Sequence, residues 1–156
     1  MPGRRREPLW IERVVLDAVH VDQIREHGGL AGIRDENALE SALARPRQRW
    51  CYGPAGDLAS LAAAYGWGLA TSHPYRDGNK RIAFLAMAIF LELNGRHFDA
   101  SEVDVVRTMV TLAAGRLTEE ELEAWLRSRC GRAAAPGDAA TGGRRPASRA
   151  RRRRRR

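Results

Sequence analysis

An all-α bundle of about six helices around a central helix beginning at Gly78 is the fold this sequence predicts, on three observations. Apolar residues recur at helical spacing through most of residues 11–127. No stretch alternates strongly with period two, as a half-buried strand would. Residues 82–91 are apolar on almost every side, which marks a helix surrounded by others.

The elements follow in order. Residues 11–27 form a first helix in which Val14, Val15, Ala18, Val21 and Ile24 stand near helical spacing, and Gly28-Gly29 ends it as a C-cap does. Residues 30–34 are a short connector. Asp35 then serves as N-cap of a second helix with Ala38, Leu39, Ala42 and Leu43 on one face, which Pro46 is expected to end. Residues 47–56 carry Trp50, Cys51, Tyr52 and Pro54 and are expected to form a turn-rich loop over part of the functional site. Asp57 caps a third helix, striped by Leu58, Leu61, Ala62, Tyr65 and Leu69, that ends in Thr71-Ser72 and delivers His73 at its C-terminus. The fourth helix has Ile82, Leu85, Ala86, Ile89, Phe90 and Leu93 on one face and is stopped by Asn94-Gly95. Ser101 opens a fifth helix that runs through Val103, Val106, Met109, Val110 and Ala113 to Gly115. Thr118-x-x-Glu121 is a capping box for a sixth, anchored by Leu122, Trp125 and Leu126.

The formal net charge of +8 is not spread evenly. Residues 131–156 hold ten Arg against one Asp, a charge of +9, and residues 4–7 add +2, which leaves −3 for residues 8–130. Three regions result: a basic N-terminal extension over 1–8, a folded domain over 9–130, and an Arg-rich tail over 131–156. The tail is too polar and repetitive to bury a core, so disorder is expected there. A weak nucleic-acid contact is the partner it admits, although charge runs are ordinarily just solvated. Cys51 and Cys130 stand far apart and fit no metal-ligand spacing, as in a reduced, cytoplasmic protein. No apolar h-region follows the basic start, and the apolar run of 82–91 falls far short of the ~20 residues that span a bilayer, so no membrane role is expected.

Chemistry concentrates in His73-Pro74-Tyr75-Arg76-Asp77-Gly78-Asn79-Lys80-Arg81. Pro74 and Gly78 break the chain into a short loop that opens directly onto the fourth helix, so its ligand meets free N–H groups and the positive end of a helix dipole. Lys80 and Arg81 add full charges. His73 is suited to proton transfer near neutral pH, and Asp77 to holding a magnesium ion that phosphates also bind. These types in this order point to phosphate chemistry. The motif is not a P-loop, for it lacks Gly-x-x-x-x-Gly-Lys-[Ser/Thr] and no strand leads into it. His20, His27 and His97 are read as structural, and Tyr75 as packing.

The motif resembles that of the Fic/Doc (Fido) superfamily, His-Pro-Phe-x-x-Gly-Asn-Gly-Arg-x-x-Arg, with Tyr75 in place of Phe, Lys80 in place of the second Gly and Phe84 in place of the last Arg. Together with residues 28–37, Gly-Gly-Leu-Ala-Gly-Ile-Arg-Asp-Glu-Asn, and 90–95, Phe-Leu-Glu-Leu-Asn-Gly, these departures resemble the death-on-curing (Doc) branch, the toxins of type II toxin-antitoxin modules. The likeness runs in segments from about Val14 to Arg127 and implies a Fic/Doc-like helical bundle.

The resemblance further implies a kinase-type phosphotransferase that moves the terminal phosphate of ATP, with Mg2+, onto a protein hydroxyl, a threonine of elongation factor Tu, and so inhibits translation. His73 is then the general base and Asp77 the magnesium ligand. Gly78 permits close approach of the backbone, Asn79 orients a phosphate oxygen, and Lys80 and Arg81 offset charge on the transferred group. A Fic-type AMP transferase is the first alternative, which Lys80 and Phe84 disfavour by filling an inner-phosphate concavity and removing a phosphate ligand. A non-catalytic binding module is the second. No [Ser/Thr]-x-x-x-Glu-[Gly/Asn] inhibitory helix occurs in the chain. Inhibition is therefore expected from a separate, Phd-like antitoxin whose C-terminal segment covers a mostly apolar groove beside the motif.

Overall fold

Each of the six expected helices forms in the computed structural model, which describes residues 5–54 and 56–132. They are α1 (Arg13–His27), α2 (Glu36–Tyr52), α3 (Leu58–Ser72), α4 (Asn79–Leu93), α5 (Glu102–Ala113) and α6 (Glu119–Arg129). Capping explains several of the boundaries. Asp35, Asp57, Ser101 and Thr118 each accept a backbone N–H from the first turn of α2, α3, α5 and α6, and Thr118 and Glu121 complete the capping box.

The centre is shared between α3 and α4. Eleven of the 15 residues of α3 are buried, many of them Ala or Gly, which lets neighbouring helices come close. A Cβ on Gly66 would lie 2.2 Å from Met87 Sδ of α4, and one on Gly68 would lie 3.4 Å from Ala42 of α2. Tyr65, Leu69, Ile82, Met87, Phe90 and Leu91 fill the space between, with Leu112, Leu122 and Leu126 closing the core from α5 and α6. Burial of such side chains, each contributing about 1.5–3 kcal/mol, is the main stabilising term.

Four features differ from the sequence expectation. Pro46 does not end α2, which runs on to Tyr52 with Pro46 buried inside it. The backbone hydrogen bond lost at proline costs about 3 kcal/mol, and close packing of α2 along α3 offsets it. Residues 47–52 are accordingly helical and form no loop over the site, and Trp50 lies beneath the Arg5 guanidinium at 4.3 Å. In α1 it is Leu16 and His20 that are buried, while Val14, Val15, Ala18 and Val21 are exposed. The helix is rotated because His20 is tied to the motif loop. Finally, Arg96–Phe98 (β1) and Cys130–Arg132 (β2) pair antiparallel, Arg96 opposite Arg132 and Phe98 opposite Cys130. Three residues per strand leave no period-two signal in sequence.

Gly131 and Arg132, assigned to the tail by sequence, thus belong to the fold, and Pro8 of the N-terminal extension is buried against it. The rest of the expected tail, 133–156, and residues 1–4 lie outside the described residues. Among the described residues no helix is long and apolar enough to cross a membrane.

Candidate active site

The loop between α3 and α4 is shaped by two left-handed residues. His73, at the C-cap of α3, has φ 48° and ψ 58°, and is the one non-glycine residue with positive φ among those described. Histidine enters this region more readily than β-branched residues do, at a cost of about 1 kcal/mol. Gly78, the N-cap of α4, has φ 75°, where glycine carries no such cost. The chain therefore turns sharply at both ends of residues 73–78.

Residues 28–35 hold this turn from the other side. Arg34 donates from Nε to the His73 carbonyl (2.7 Å) and from Nη2 to the Ser72 carbonyl (2.8 Å), closing the C-terminus of α3. The N–H groups of Arg34 and Asp35 both donate to Pro74 O (2.8 and 3.0 Å), Arg76 N–H donates to Gly32 O (3.0 Å), and Ile33 and Tyr75 form an isolated bridge. Gly29 has φ 114°, and a Cβ there would press to 3.2 Å from the Asp77 side chain. The neighbouring Leu30 N–H donates to Asp77 Oδ2 at 3.0 Å, which fixes one oxygen of that carboxylate.

A buried layer supports the loop from below. His20, 2% exposed, stacks on Tyr75 with ring centroids 3.9 Å apart, and its Nε2 donates to the Asp77 carbonyl at 2.9 Å. This bond assigns the Nε2–H tautomer. Tyr75, 1% exposed, donates its hydroxyl proton to Asp17 Oδ1 at 2.8 Å, and Arg13 pairs with the same carboxylate at 2.8 Å. Burial, and after it the Asp17 carboxylate, push the Tyr75 hydroxyl far above its ordinary pKa, so it stays a proton donor. Tyr75 is thus packing, as the sequence suggested, with a hydrogen-bonded anchor added.

The six residues singled out in the motif, His73, Asp77, Gly78, Asn79, Lys80 and Arg81, line one cavity of about 760 Å³. Its opposite wall is apolar, built from Phe84 of α4 and Val105, Met109 and Val110 of α5. In contrast to α2, α3, α5 and α6, α4 has no side-chain cap. Its first intrahelical bond on this side is Ile82 N–H to Gly78 O at 2.9 Å, so earlier N–H groups are open to an anion. Neither Lys80 nor Arg81 is in any ion pair formed among the described residues. His73 is exposed.

The Asn79 amide, expected to orient a phosphate, also holds the loop backbone. Its Oδ1 accepts from Tyr75 N–H (2.9 Å) and its Nδ2 donates to Tyr75 O (2.8 Å), so the amide clamps the loop to the helix and keeps one N–H for a ligand. As to a metal, no group of three or more His, Cys, Asp or Glu side chains among the described residues could hold an ion. That donor set fits magnesium carried by phosphates and water with one protein carboxylate, Asp77.

Sequence reading missed Arg34, Gly29 and His20 as parts of the site. The signal for the first two was the glycine spacing at 28, 29 and 32, which marks backbone of unusual conformation. His20 carried no local signal, because its partner lies 57 residues away.

A histidine and a helix start without a side-chain cap, at the two ends of a six-residue turn, line one cavity suited to an anionic group. The model of the Fic/DOC family matches residues 10–91, more than half the chain, and the protein belongs to that family. It is similar to the "Protein kinase doc" of Escherichia phage P1, 35% identical over 89 residues, covering 56% of this chain and 71% of that protein. It is also similar to the "Toxin Doc" of Mycolicibacterium smegmatis, 42% identical over 82 residues, covering 51% of this chain and 62% of that protein. The chain thus spans less than two thirds of the second relative's length.

Proposed function

We propose that this chain is a Doc-type toxin that transfers the terminal phosphate of ATP to a protein hydroxyl. The observation that carries the reading is the single cavity in which His73, the open N-terminus of α4, and the Asp77, Lys80 and Arg81 side chains converge. The names of the two relatives agree with it.

In the proposed reaction the acceptor hydroxyl oxygen attacks the γ-phosphorus. The new O–P bond forms as the bond to the β–γ bridging oxygen breaks, ADP leaves, and the His73 imidazole takes the hydroxyl proton, a contribution of about 10²- to 10⁴-fold. Lys80 and Arg81 offset the charge that gathers on the transferred group, and the N–H groups of α4 donate to its oxygens. Asp77, with one oxygen held by the Leu30 N–H, would hold magnesium through the other, and the ion would supply positive charge against the phosphates. Asn79, His20 and Arg34 keep the loop in register.

By resemblance the acceptor is a threonine of elongation factor Tu, and translation is the process inhibited. AMP transfer is the second reading. Lys80 and Phe84 count against it, since Phe84 packs edge-on to Phe98 at 5.6 Å where an arginine would reach for phosphate. The apolar α5 wall is the proposed seat of a Phd-like antitoxin segment.

The test is intact-mass analysis of elongation factor Tu after incubation with the protein, ATP and Mg2+. Addition of one phosphate supports the reading, addition of AMP establishes the alternative, and no addition by a folded protein overturns both. Growth after induction, with and without co-expression of a Phd-like antitoxin, tests the partner: arrest without it and rescue with it are expected.

A further inference from the structure

Away from the motif, at the C-terminal end of α4, a second recess of about 630 Å³ opens between residues 5–9, the start of α3 and the α4–β1 turn. A helix of 15 residues places it about 20 Å from the catalytic cavity. Arg5, Arg6 and Arg96 line it. The acidic groups there, Glu7 and Asp57, are already engaged. Glu7 accepts from Trp10 Nε1 at 2.7 Å, while Asp57 pairs with Arg127 at 2.8 Å and caps the Ser60 N–H at 3.0 Å. Arg6 and Arg96, by contrast, are in none of the ion pairs formed among the described residues, and both are exposed. Arg5 donates to the Gly56 carbonyl, and its guanidinium carbon lies over the Trp50 ring, 4.3 Å from the centroid.

The β1–β2 register brings one more arginine backbone beside this recess. Arg132 is paired with Arg96, so its Cα lies about 5 Å from that of a residue lining the recess. The sequence from there on, residues 133–156, holds nine arginines and one aspartate. Residues 8–130 total −3, so the three arginines of this recess form a basic patch on a mildly acidic body.

We propose that this face binds single-stranded nucleic acid through its phosphates. Guanidinium groups meet phosphate oxygens in a two-pronged geometry, and the Arg5 guanidinium held over Trp50 offers a cation and an aromatic ring to a base, which an acidic peptide would not use. The recess has the volume of a small-ligand pocket, room for an unstacked nucleotide of a single strand, whereas the bases of a duplex are stacked and paired out of its reach. Binding here leaves the catalytic cavity open.

The test is fluorescence anisotropy of the full chain with an oligouridine and an oligothymidine of about 16 nucleotides, a duplex of equal length, and polyglutamate, over about 50 to 200 mM salt. Both single strands are expected to bind more tightly than the duplex or polyglutamate. In the Arg6→Ala/Arg96→Ala variant the slope of log affinity against log salt should fall by about 1.4, roughly 0.7 for each phosphate left without its arginine. Arg5→Ala should weaken single strands more than polyglutamate, which loses only the charge. Since these side chains are exposed, unaltered circular dichroism is expected. A wild-type chain that binds no strand, prefers the duplex, or takes polyglutamate as tightly overturns the proposal, as does an unchanged salt slope in the double variant, which would assign binding to residues 133–156 alone.

Discussion

Replacing His20 by Phe isolates the layer beneath the motif from the motif itself. The Phe ring keeps an aromatic face for Tyr75, seen now at 3.9 Å with planes 14° apart, removes the Nε2–H bond to the Asp77 carbonyl and adds the bulk of a six-membered ring. Loss of one such bond costs about 0.5–1.5 kcal/mol. For a domain of this size that lowers Tm by roughly 3–6 °C. The effect on chemistry should be larger than the effect on stability. The same carbonyl belongs to the peptide joining Asp77 to Gly78, so its release frees the Asp77 carboxylate and the first turn of α4 together. A shift of about 1 Å in a reacting group costs on the order of 10²-fold in rate. The expected result is a variant with wild-type circular dichroism, a modest drop in Tm, and a roughly 10- to 100-fold fall in kcat for phosphate transfer, with KM for ATP little changed. His20→Ala, which adds a cavity, should cost about 2–4 kcal/mol in stability. A His20→Phe protein that transfers phosphate within about twofold of wild type would refute the coupling between this layer and the site.

Three further outcomes are expected. His73→Ala should abolish transfer and toxicity, by about 10² to 10⁴ in rate, while leaving helical circular dichroism intact, and His73→Asn, better suited to φ 48°, should behave alike; a folded variant of undiminished toxicity would end the general-base assignment. Lys80→Gly should lose phosphate transfer and gain weak AMP transfer, read by mass spectrometry, because the motif then reads Gly-Asn-Gly-Arg; retained phosphorylation at near the wild-type rate would contradict it. Asp57 lies below the ordinary carboxylate range, chiefly because Arg127 donates to it, so its charge stabilises the fold above about pH 4 and that part is lost as pH falls through the lowered value. Asp57→Asn should therefore cost under about 1 kcal/mol at neutral pH, the pair being half exposed, and flatten the acid side of the denaturation profile.

What sequence alone determined here is local. Helix starts at Asp35, Asp57, Ser101 and Thr118 were legible because a cap acts on an N–H within three residues of itself. The motif was legible for the same reason: a Pro, a Gly and two cations before an apolar run specify a turn into a helix wherever the rest of the chain goes. Tertiary structure decided what depends on distant partners. The face α1 buries was set by a bond from His20 to a carbonyl 57 residues away, against an apolar pattern that favoured Val14, Ala18 and Val21. The persistence of α2 past Pro46 was set by packing on α3, which outweighs one missing hydrogen bond. Asn79 faces the loop backbone because Tyr75 offers both a donor and an acceptor at the right spacing once the turn has formed. Short-range propensity fixes where elements begin and end, whereas orientation follows from burial and from polar groups that must find partners, and those partners are chosen only when the chain has folded.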